Sequence, residues 1–151
     1  STEERNKLWK ARHDLYWAAL QLRPGAQGIS TDVCVPISRL AECLAATVAD
    51  VEELDLVAPI IGHVGDGNFH VSPLVMMDDA DEVARAEKMI ERLNLRTIAM
   101  EGTCTGEHGI GQGKLRFLRL EHGAGVDVMA AIKRSIDPDN IMNPGKVVQL
   151  D

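Results

Sequence analysis

The sequence predicts an α+β fold, with a largely antiparallel sheet that carries helices on one face and a helical segment at its C-terminal end. Apolar residues recur at helical spacing before, between and after the segments that alternate like strands. One apolar stretch is interrupted by a glycine-rich turn, which is typical of a β-hairpin. A long glycine-rich loop then precedes two short C-terminal helices. These features predict the order α-β-α-β-β-α-loop-α-α within one domain that spans residues 1–151.

Five segments have the apolar spacing and the end signals of helices. In the first, Leu8 and Leu15 repeat at helical spacing, and Pro24–Gly25 end the helix. Ser38 is predicted to cap the second helix, and Gly102 is predicted to stop the long third one. The predicted helices cover residues 2–22, 39–51, 78–100, 114–120 and 126–135.

Two regions have the pattern of strands. Ile29–Pro36 alternates apolar and polar residues. Leu56–His63 and Asn68–Val75 form a predicted hairpin, because a Gly-Asp-Gly-Asn turn joins them. The loop at 102–113 holds five glycines and is predicted to be neither helix nor strand. Its GIGQG stretch lacks the flanking strand and the distal acidic residue of a dinucleotide-binding loop, so no complete nucleotide site is predicted in this chain.

The composition excludes several classes of partner. With a net charge of -7, the chain is poorly suited to nucleic acid or an anionic membrane surface, since both bind Lys/Arg patches. No apolar run reaches the roughly 18 residues of a membrane span, and no apolar signal segment follows the charged start. Three cysteines without a CxxC pair indicate reduced thiols, as in the cytoplasm or, for a eukaryotic protein, the mitochondrial matrix.

Two histidines flank the predicted hairpin turn in the segment HVGDGNFH. His63 and His70 would lie about 23 Å apart on a fully extended strand, so they share a ligand only if the chain reverses between them. Gly65 and Gly67 permit that reversal, because glycine tolerates positive φ. Two interpretations stay open for this segment alone: a turn with two hydrogen-bonded histidines, or a pair of metal ligands.

A carboxylate and a third imidazole lie in the glycine-rich segment GTCTGEHGIGQGK. Glu107 with His63 and His70 would give a three-ligand site with open positions, which a catalytic divalent metal requires. Glu107 and His108 are adjacent, so on an extended backbone one side chain would face a metal and the other a substrate. A solvated loop pair is the alternative, and the spacing matches no standard zinc finger.

The motifs HVGDGNFH, GTCTGEHGIGQGK and DPDNIMNPGKV follow one another in this chain, preceded by LWKAR and TDVCVPISRL. Together they resemble the C-terminal region of the FAD-linked D-2-hydroxyacid dehydrogenases and oxidases, flavoproteins of the vanillyl-alcohol-oxidase type. The resemblance covers nearly the whole chain. Within that family, TDVCVPISRL is most similar to the D-lactate dehydrogenase group, and the glycolate oxidase flavoprotein subunit is the nearest alternative.

The resemblance implies a metal site and a base. The family's three metal ligands match His63, His70 and Glu107, and its catalytic base matches His108. The metal would be divalent, and two imidazoles with one carboxylate suit zinc, manganese or iron. The implied reaction is oxidation of a D-2-hydroxyacid to the 2-oxoacid, with hydride transfer to FAD.

The resemblance also implies contacts to substrate and flavin. The arginine that pairs with the substrate carboxylate matches Arg12, and the Asn-Pro-x-Lys segment near the flavin ring matches Asn143 and Lys146. Family members with dicarboxylic substrates have a lysine and an asparagine where this chain has Ser30 and Ser72. We therefore expect a small monocarboxylic 2-hydroxyacid as the substrate.

Members of this family also have an N-terminal flavin-binding domain, and these 151 residues hold no counterpart of it. We therefore expect an incomplete ferredoxin-like substrate domain, the last third or so of a longer enzyme, that is inactive on its own. Its sheet is expected to stay partly open, which would favour self-association as a homo-oligomer. A stand-alone metal-binding module is the alternative, and the sequence predicts no particular electron acceptor.

Overall fold

The computed structural model describes residues 1–150 and has the predicted α+β architecture, with antiparallel pairing throughout its two small sheets. The α-helices within that range are α1 (Thr2–Leu20), α2 (Leu40–Glu53), α3 (Ala80–Ala99), α4 (Leu115–His122) and α5 (Gly125–Ile136). The strands are β1 (Gln27–Gly28), β2 (Val33–Cys34), β3 (Ile60–His63), β4 (Asn68–Val71) and β5 (Leu74–Val75). No helix of residues 1–150 is both long and apolar enough to cross a membrane.

Of the first predicted strand, Ile29–Pro36, only β2 is a strand in the structure, and β1 lies just before the predicted segment. β1 pairs with β5, and β2 pairs with β4. The residues between β1 and β2 continue the ladder, since the N–H groups of Ile29 and Thr31 donate to the carbonyls of Pro73 and Val71 at 3.0 Å. The whole predicted strand therefore lies antiparallel to the second half of the hairpin.

The predicted hairpin joins β3 to β4 in a three-stranded sheet of order β2-β4-β3. Its turn is a short 3-10 segment, Val64–Asp66, followed by Gly67 with a φ of 76°. A Cβ at Gly67 would lie 2.1 Å from the carbonyl oxygen of Val35, so both the backbone conformation and the close approach require glycine. Among the described residues β3 is an edge strand, and self-association through it stays a prediction.

The main core lies between the sheet and the helices α2 and α3. Its fully buried side chains include Val33, Phe69, Met89 and Leu93. Burial of an apolar side chain of this size contributes roughly 1.5–3 kcal/mol. A second apolar cluster joins α4 and α5 to the glycine-rich loop through Cys104. Cys104 and Ile110 therefore anchor the glycine-rich loop in this second cluster.

Three predictions about helix ends are wrong. Helix α1 ends at Leu20 rather than at residue 22. Ser38 lies in a 3-10 turn before α2, whose N-cap residue is Arg39 without a side-chain hydrogen bond. The left-handed residue after α3 is Glu101, with a φ of 61°, rather than Gly102. The end of α3 coincides with a tertiary contact, because Thr103 forms an isolated antiparallel bridge with Cys34 directly after it.

Candidate active site

Three of the predicted site residues meet beside the hairpin. His63 is the last residue of β3, His70 lies in β4, and Glu107 reaches them from the glycine-rich loop. The strand register pairs Ile61 with His70, so the two histidines are diagonal neighbours on paired strands. Their ring centroids are 6.1 Å apart, and the ring planes are nearly perpendicular, at 88°.

One ligand atom from each of these side chains lies within 4.8 Å of the other two. The Oε1 atom of Glu107 is 2.9 Å from Nε2 of His70 and 3.7 Å from Nε2 of His63. The convergence that the glycine turn was expected to permit is therefore present. The role of the three residues as metal ligands stays a prediction.

The hydrogen bonding of His70 tests whether this cluster suits a cation. Its Nδ1 atom lies 2.9 Å from the carbonyl oxygen of Thr31, and a carbonyl only accepts, so Nδ1 carries the proton. In a neutral ring, Nε2 then presents a lone pair to the Glu107 carboxylate at 2.9 Å. Two lone pairs at that distance repel unless a cation or a proton lies between them. An imidazole held through its other nitrogen by a carbonyl is also typical of metal ligands, so the residues fit a divalent metal.

His108 belongs to the same cluster. Its ring is stacked on His70, and its Nε2 atom is 3.5 Å from Oε1 of Glu107. The prediction that Glu107 and His108 point to opposite sides is wrong, because the backbone is bent here rather than extended. Both N–H groups donate to the same carboxylate oxygen, Oδ2 of Asp32, at 2.8 and 2.7 Å. That shared acceptor brings both side chains to one side of the loop.

Sequence reasoning missed Asp32 as a site residue. Its side chain is only 1% exposed. Burial by itself raises the pKa of Asp32, but hydrogen bonds from the N–H groups of His108 and Glu107 and from Asn68, with the charge of Lys114, together outweigh this effect and hold the pKa at about 2. A carboxylate inside a predicted strand was the available signal, because buried Asp residues are rare unless they are hydrogen-bonded or paired.

The predicted substrate residue reaches the cluster from α1. Nη2 of Arg12 lies 3.4 Å from Nε2 of His63. Together these side chains border a cavity of about 310 Å³. Its lining includes Arg12, Tyr16, Ser30, Ser72 and the three histidines His63, His70 and His108.

Asn143 and Lys146 are not brought to this cavity. They line a different, largely apolar cavity of about 430 Å³, formed by α5 and the C-terminal segment. The C-terminal segment is tied to the glycine-rich loop by the N–H of Val147, which donates to the carbonyl of Gly111 at 2.8 Å. The flavin contact expected for Asn143 and Lys146 stays a prediction.

Comparison with known proteins covers nearly the whole chain. The family model described as "FAD linked oxidases, C-terminal domain" matches residues 1–147. The chain is 54% identical over 149 residues to a protein of Danio rerio named "Probable D-lactate dehydrogenase, mitochondrial". It is 42% identical over 151 residues to the mitochondrial D-lactate dehydrogenase (cytochrome) of Arabidopsis thaliana. These alignments cover 98% and 97% of this chain, but it spans only 30% and 26% of the two relatives.

A more distant relative and a solved structure also match this chain. "Glycolate oxidase subunit GlcD" of Bacillus subtilis is 35% identical over 150 residues, which cover 99% of this chain and 32% of that protein. Among solved structures, 4-ethylphenol oxidase from Gulosibacter chungangensis superposes with a TM-score of 0.69 at 18% identity. That match covers 94% of this chain and 30% of the other, and it shows a shared fold alone.

Proposed function

The chain belongs to the family of FAD-linked oxidase C-terminal domains, and from this premise we propose that it forms the substrate side of a flavoenzyme that oxidises D-lactate or a closely similar D-2-hydroxyacid. One observation carries the proposal: three histidines and Arg12 line a single cavity, and Glu107 contacts each of the three imidazoles. The names of the 54% and 42% identical relatives support D-lactate as the substrate. Glycolate is the second candidate, because of the 35% identical glycolate oxidase subunit.

The proposed chemistry removes a proton and a hydride from the substrate. When bound, FAD supplies the hydride acceptor, and a divalent metal at His63, His70 and Glu107 supplies positive charge that makes the hydroxyl more acidic. His108 is the proposed base, since a neutral imidazole accepts a proton near pH 7 and its half-exposed side chain faces the cavity. His108 would accept the hydroxyl proton, and the product would be the 2-oxoacid once C2 has given up its hydride to the acceptor that bound FAD would supply.

Arg12 is proposed to hold the substrate carboxylate. Its guanidinium lies beside His63 at the rim of the cavity, within reach of a small acid whose hydroxyl faces the histidines. A guanidinium binds a carboxylate through two parallel N–H donors, which fixes orientation as well as position. This pairing would aim the reacting carbon of the substrate away from Arg12 and toward the cluster.

The substrate is proposed to carry one carboxylate. At about 310 Å³ the cavity lies at the small end of the range for ligand pockets. Ser30 and Ser72 line it and carry no charge, so neither forms an ion pair with a second carboxylate. Leu15 and Ile61 add apolar surface that suits a short alkyl group.

The remaining cofactor contacts and the location follow from the same premise. Asn143 and Lys146 are proposed to lie near the flavin ring, with most of the FAD site in a domain outside this chain. The relatives from Danio rerio and Arabidopsis thaliana are both named as mitochondrial. For a eukaryotic protein these names support the mitochondrion over the cytoplasm.

The proposal is tested on the full-length protein that carries this chain, purified with its flavin. Flavin reduction under anaerobic conditions should be fast with D-lactate, slower with glycolate and nearly absent with L-lactate. The isolated chain with added FAD should not turn over D-lactate with a dye acceptor. Equal rates with D- and L-lactate, or turnover by the isolated chain, would contradict the proposal.

A further inference from the structure

Asp32 is a buried carboxylate at the centre of the proposed site, yet it does not line the substrate cavity. It lies in the extended chain that leads into β2. Its Oδ2 atom accepts the N–H groups of Glu107 and His108 and, at 3.2 Å, the hydroxyl of Thr105. Its Oδ1 atom accepts Nδ2 of Asn68 at 2.9 Å. The Asp32 side chain is thus the common acceptor for three residues of the loop: Thr105, Glu107 and His108.

From this geometry we propose that Asp32 is the positioning residue of the site, and the inference rests on the proposed function. Two amides that donate to one oxygen force the backbone to bend around it. That bend brings the carboxylate of Glu107 and the imidazole of His108 onto the same side, against His70. Without the shared acceptor, an extended backbone would send the two side chains apart.

The neighbouring residue orients the other half of the site. The carbonyl of Thr31 accepts Nδ1–H of His70, which leaves Nε2 of that ring facing Glu107. Two adjacent residues of the extended segment before β2 therefore set the direction of an imidazole in β4 and of a carboxylate in the loop. Nζ of Lys114 donates to the carbonyls of Asp32 and Cys104 at 3.0 and 2.6 Å, which ties this strand to the loop a second time.

The contact between the loop and Asp32 has no spare room. A Cβ at Gly106 would lie 2.1 Å from Nδ2 of Asn68 and 2.9 Å from Oδ1 of Asp32. The chain thus passes directly over the carboxylate. A water molecule could not replace the direct hydrogen bonds without moving the loop, so the position of Glu107 depends on the side chain of Asp32 itself.

Asp32→Asn separates the acceptor role from side-chain volume. Whichever way the amide is turned, its NH₂ group faces either the loop N–H donors or Nδ2 of Asn68. One set of hydrogen bonds is lost while the volume stays nearly the same. The matched control is Asp50→Asn, which changes another buried carboxylate, paired with Arg92 and Arg96 between α2 and α3.

The experiment titrates the full-length, flavin-loaded protein with Mn²⁺, following free Mn²⁺ by electron paramagnetic resonance. Mutation of a group that is hydrogen-bonded to a metal ligand typically lowers metal affinity by about 10–100-fold. Since Asp32 accepts a hydrogen bond from Glu107, Asp32→Asn should weaken Mn²⁺ binding by about that factor. Asp50→Asn should stay within about twofold of the wild type even if its melting temperature falls. For D-lactate, Asp32→Asn should lower kcat more than it changes KM, because Arg12 is untouched.

Hydrogen exchange of the 103–110 peptide gives a readout that needs no metal. The amides of Glu107 and His108 should exchange slowly in the wild type and in Asp50→Asn, and faster in Asp32→Asn. Failure of the wild type to bind Mn²⁺ would reject the proposed metal site. Hydrogen exchange of the 103–110 peptide would still test whether Asp32 positions the loop. Unchanged exchange in Asp32→Asn, or equal loss of Mn²⁺ affinity in both variants, would overturn the inference.

Discussion

The imidazole rings of His70 and His108 are stacked, with centroids 5.0 Å apart and planes inclined by 24°. The first ring belongs to the central strand β4, and the second belongs to the glycine-rich loop. The proposed metal ligand and the proposed base are therefore in direct contact. The adjacent Glu107 contacts both rings, so metal binding and proton transfer are expected to depend on the same loop conformation.

His108→Asn should remove the base and leave the metal site in place. Loss of a general base typically costs about 10²–10⁴-fold, so flavin reduction by D-lactate should slow by that factor. Mn²⁺ affinity should change little, since His108 is not one of the three proposed ligands. His122→Asn, at an exposed histidine of α4, is the control and should be silent. Flavin reduction within threefold of the wild type in His108→Asn would argue against this base.

Glu107→Gln should weaken metal binding while keeping the size of the side chain. The neutral amide lacks the negative charge that balances a divalent ion. Mn²⁺ affinity should therefore fall by at least about tenfold, which is the smallest loss typical of mutating a residue that only hydrogen-bonds to a metal ligand. Metal content per flavin measures this directly. Glu101→Gln changes an exposed glutamate shortly before the loop and should retain metal. Equal metal content in both variants would reject Glu107 as a ligand.

Gly106→Ala should disturb the site through sterics alone. The new methyl group would lie 2.1 Å from Nδ2 of Asn68, so the loop has to shift. Overpacking of this kind typically costs about 1–3 kcal/mol, and we expect weaker Mn²⁺ binding as well as a lower melting temperature. Gly113→Ala is the matched control, because a Cβ there meets nothing within 4 Å. A Gly106→Ala variant as stable and as metal-loaded as Gly113→Ala would show that the loop is not held where we describe it.

The double change Ser30→Lys with Ser72→Asn should favour a dicarboxylic substrate. A charge-assisted hydrogen bond contributes roughly 1.5–3 kcal/mol against about 1 kcal/mol for a neutral one. The ratio of kcat/KM for D-2-hydroxyglutarate to that for D-lactate should therefore rise by about tenfold or more. Ser135→Lys, at an exposed position of α5, adds the same charge elsewhere and should leave the ratio unchanged. A wild type that already prefers the dicarboxylate would refute the proposed substrate class.

Asp50 should contribute to stability in mild acid. Burial raises its pKa, but hydrogen bonds from Arg96 and Arg92 outweigh burial and lower the pKa below its ordinary value. A lowered folded-state pKa means that the contribution is complete above the unfolded value of about 3.9 and is lost as pH falls through the folded pKa. The melting temperature of the wild type should thus drop more steeply below about pH 4 than that of Asp50→Asn. Parallel curves for the two proteins would contradict this.

The sequence by itself determined the α+β class, the order of the main helices and the family, and it supplied every predicted site residue except Asp32. Helical spacing identified α3, and the Gly-Asp-Gly-Asn turn identified the hairpin, because both signals act between residues that are close along the chain. The family motifs identified His63 and His70, and the structure places them on paired strands as the turn requires.

Only the tertiary structure decided how the loop is bent and which carboxylate bends it. Asp32 accepts the amides of Glu107 and His108 across separations of 75 and 76 residues. Spacing along the sequence carries no information about such a contact, because it depends on how the loop crosses the sheet. The adjacent pair Glu107 and His108 therefore looked like side chains on opposite faces. The buried carboxylate of Asp32 requires hydrogen-bond donors, and the backbone N–H groups of Glu107 and His108 supply them. For this reason the side chains of Glu107 and His108 lie on the same side of the loop.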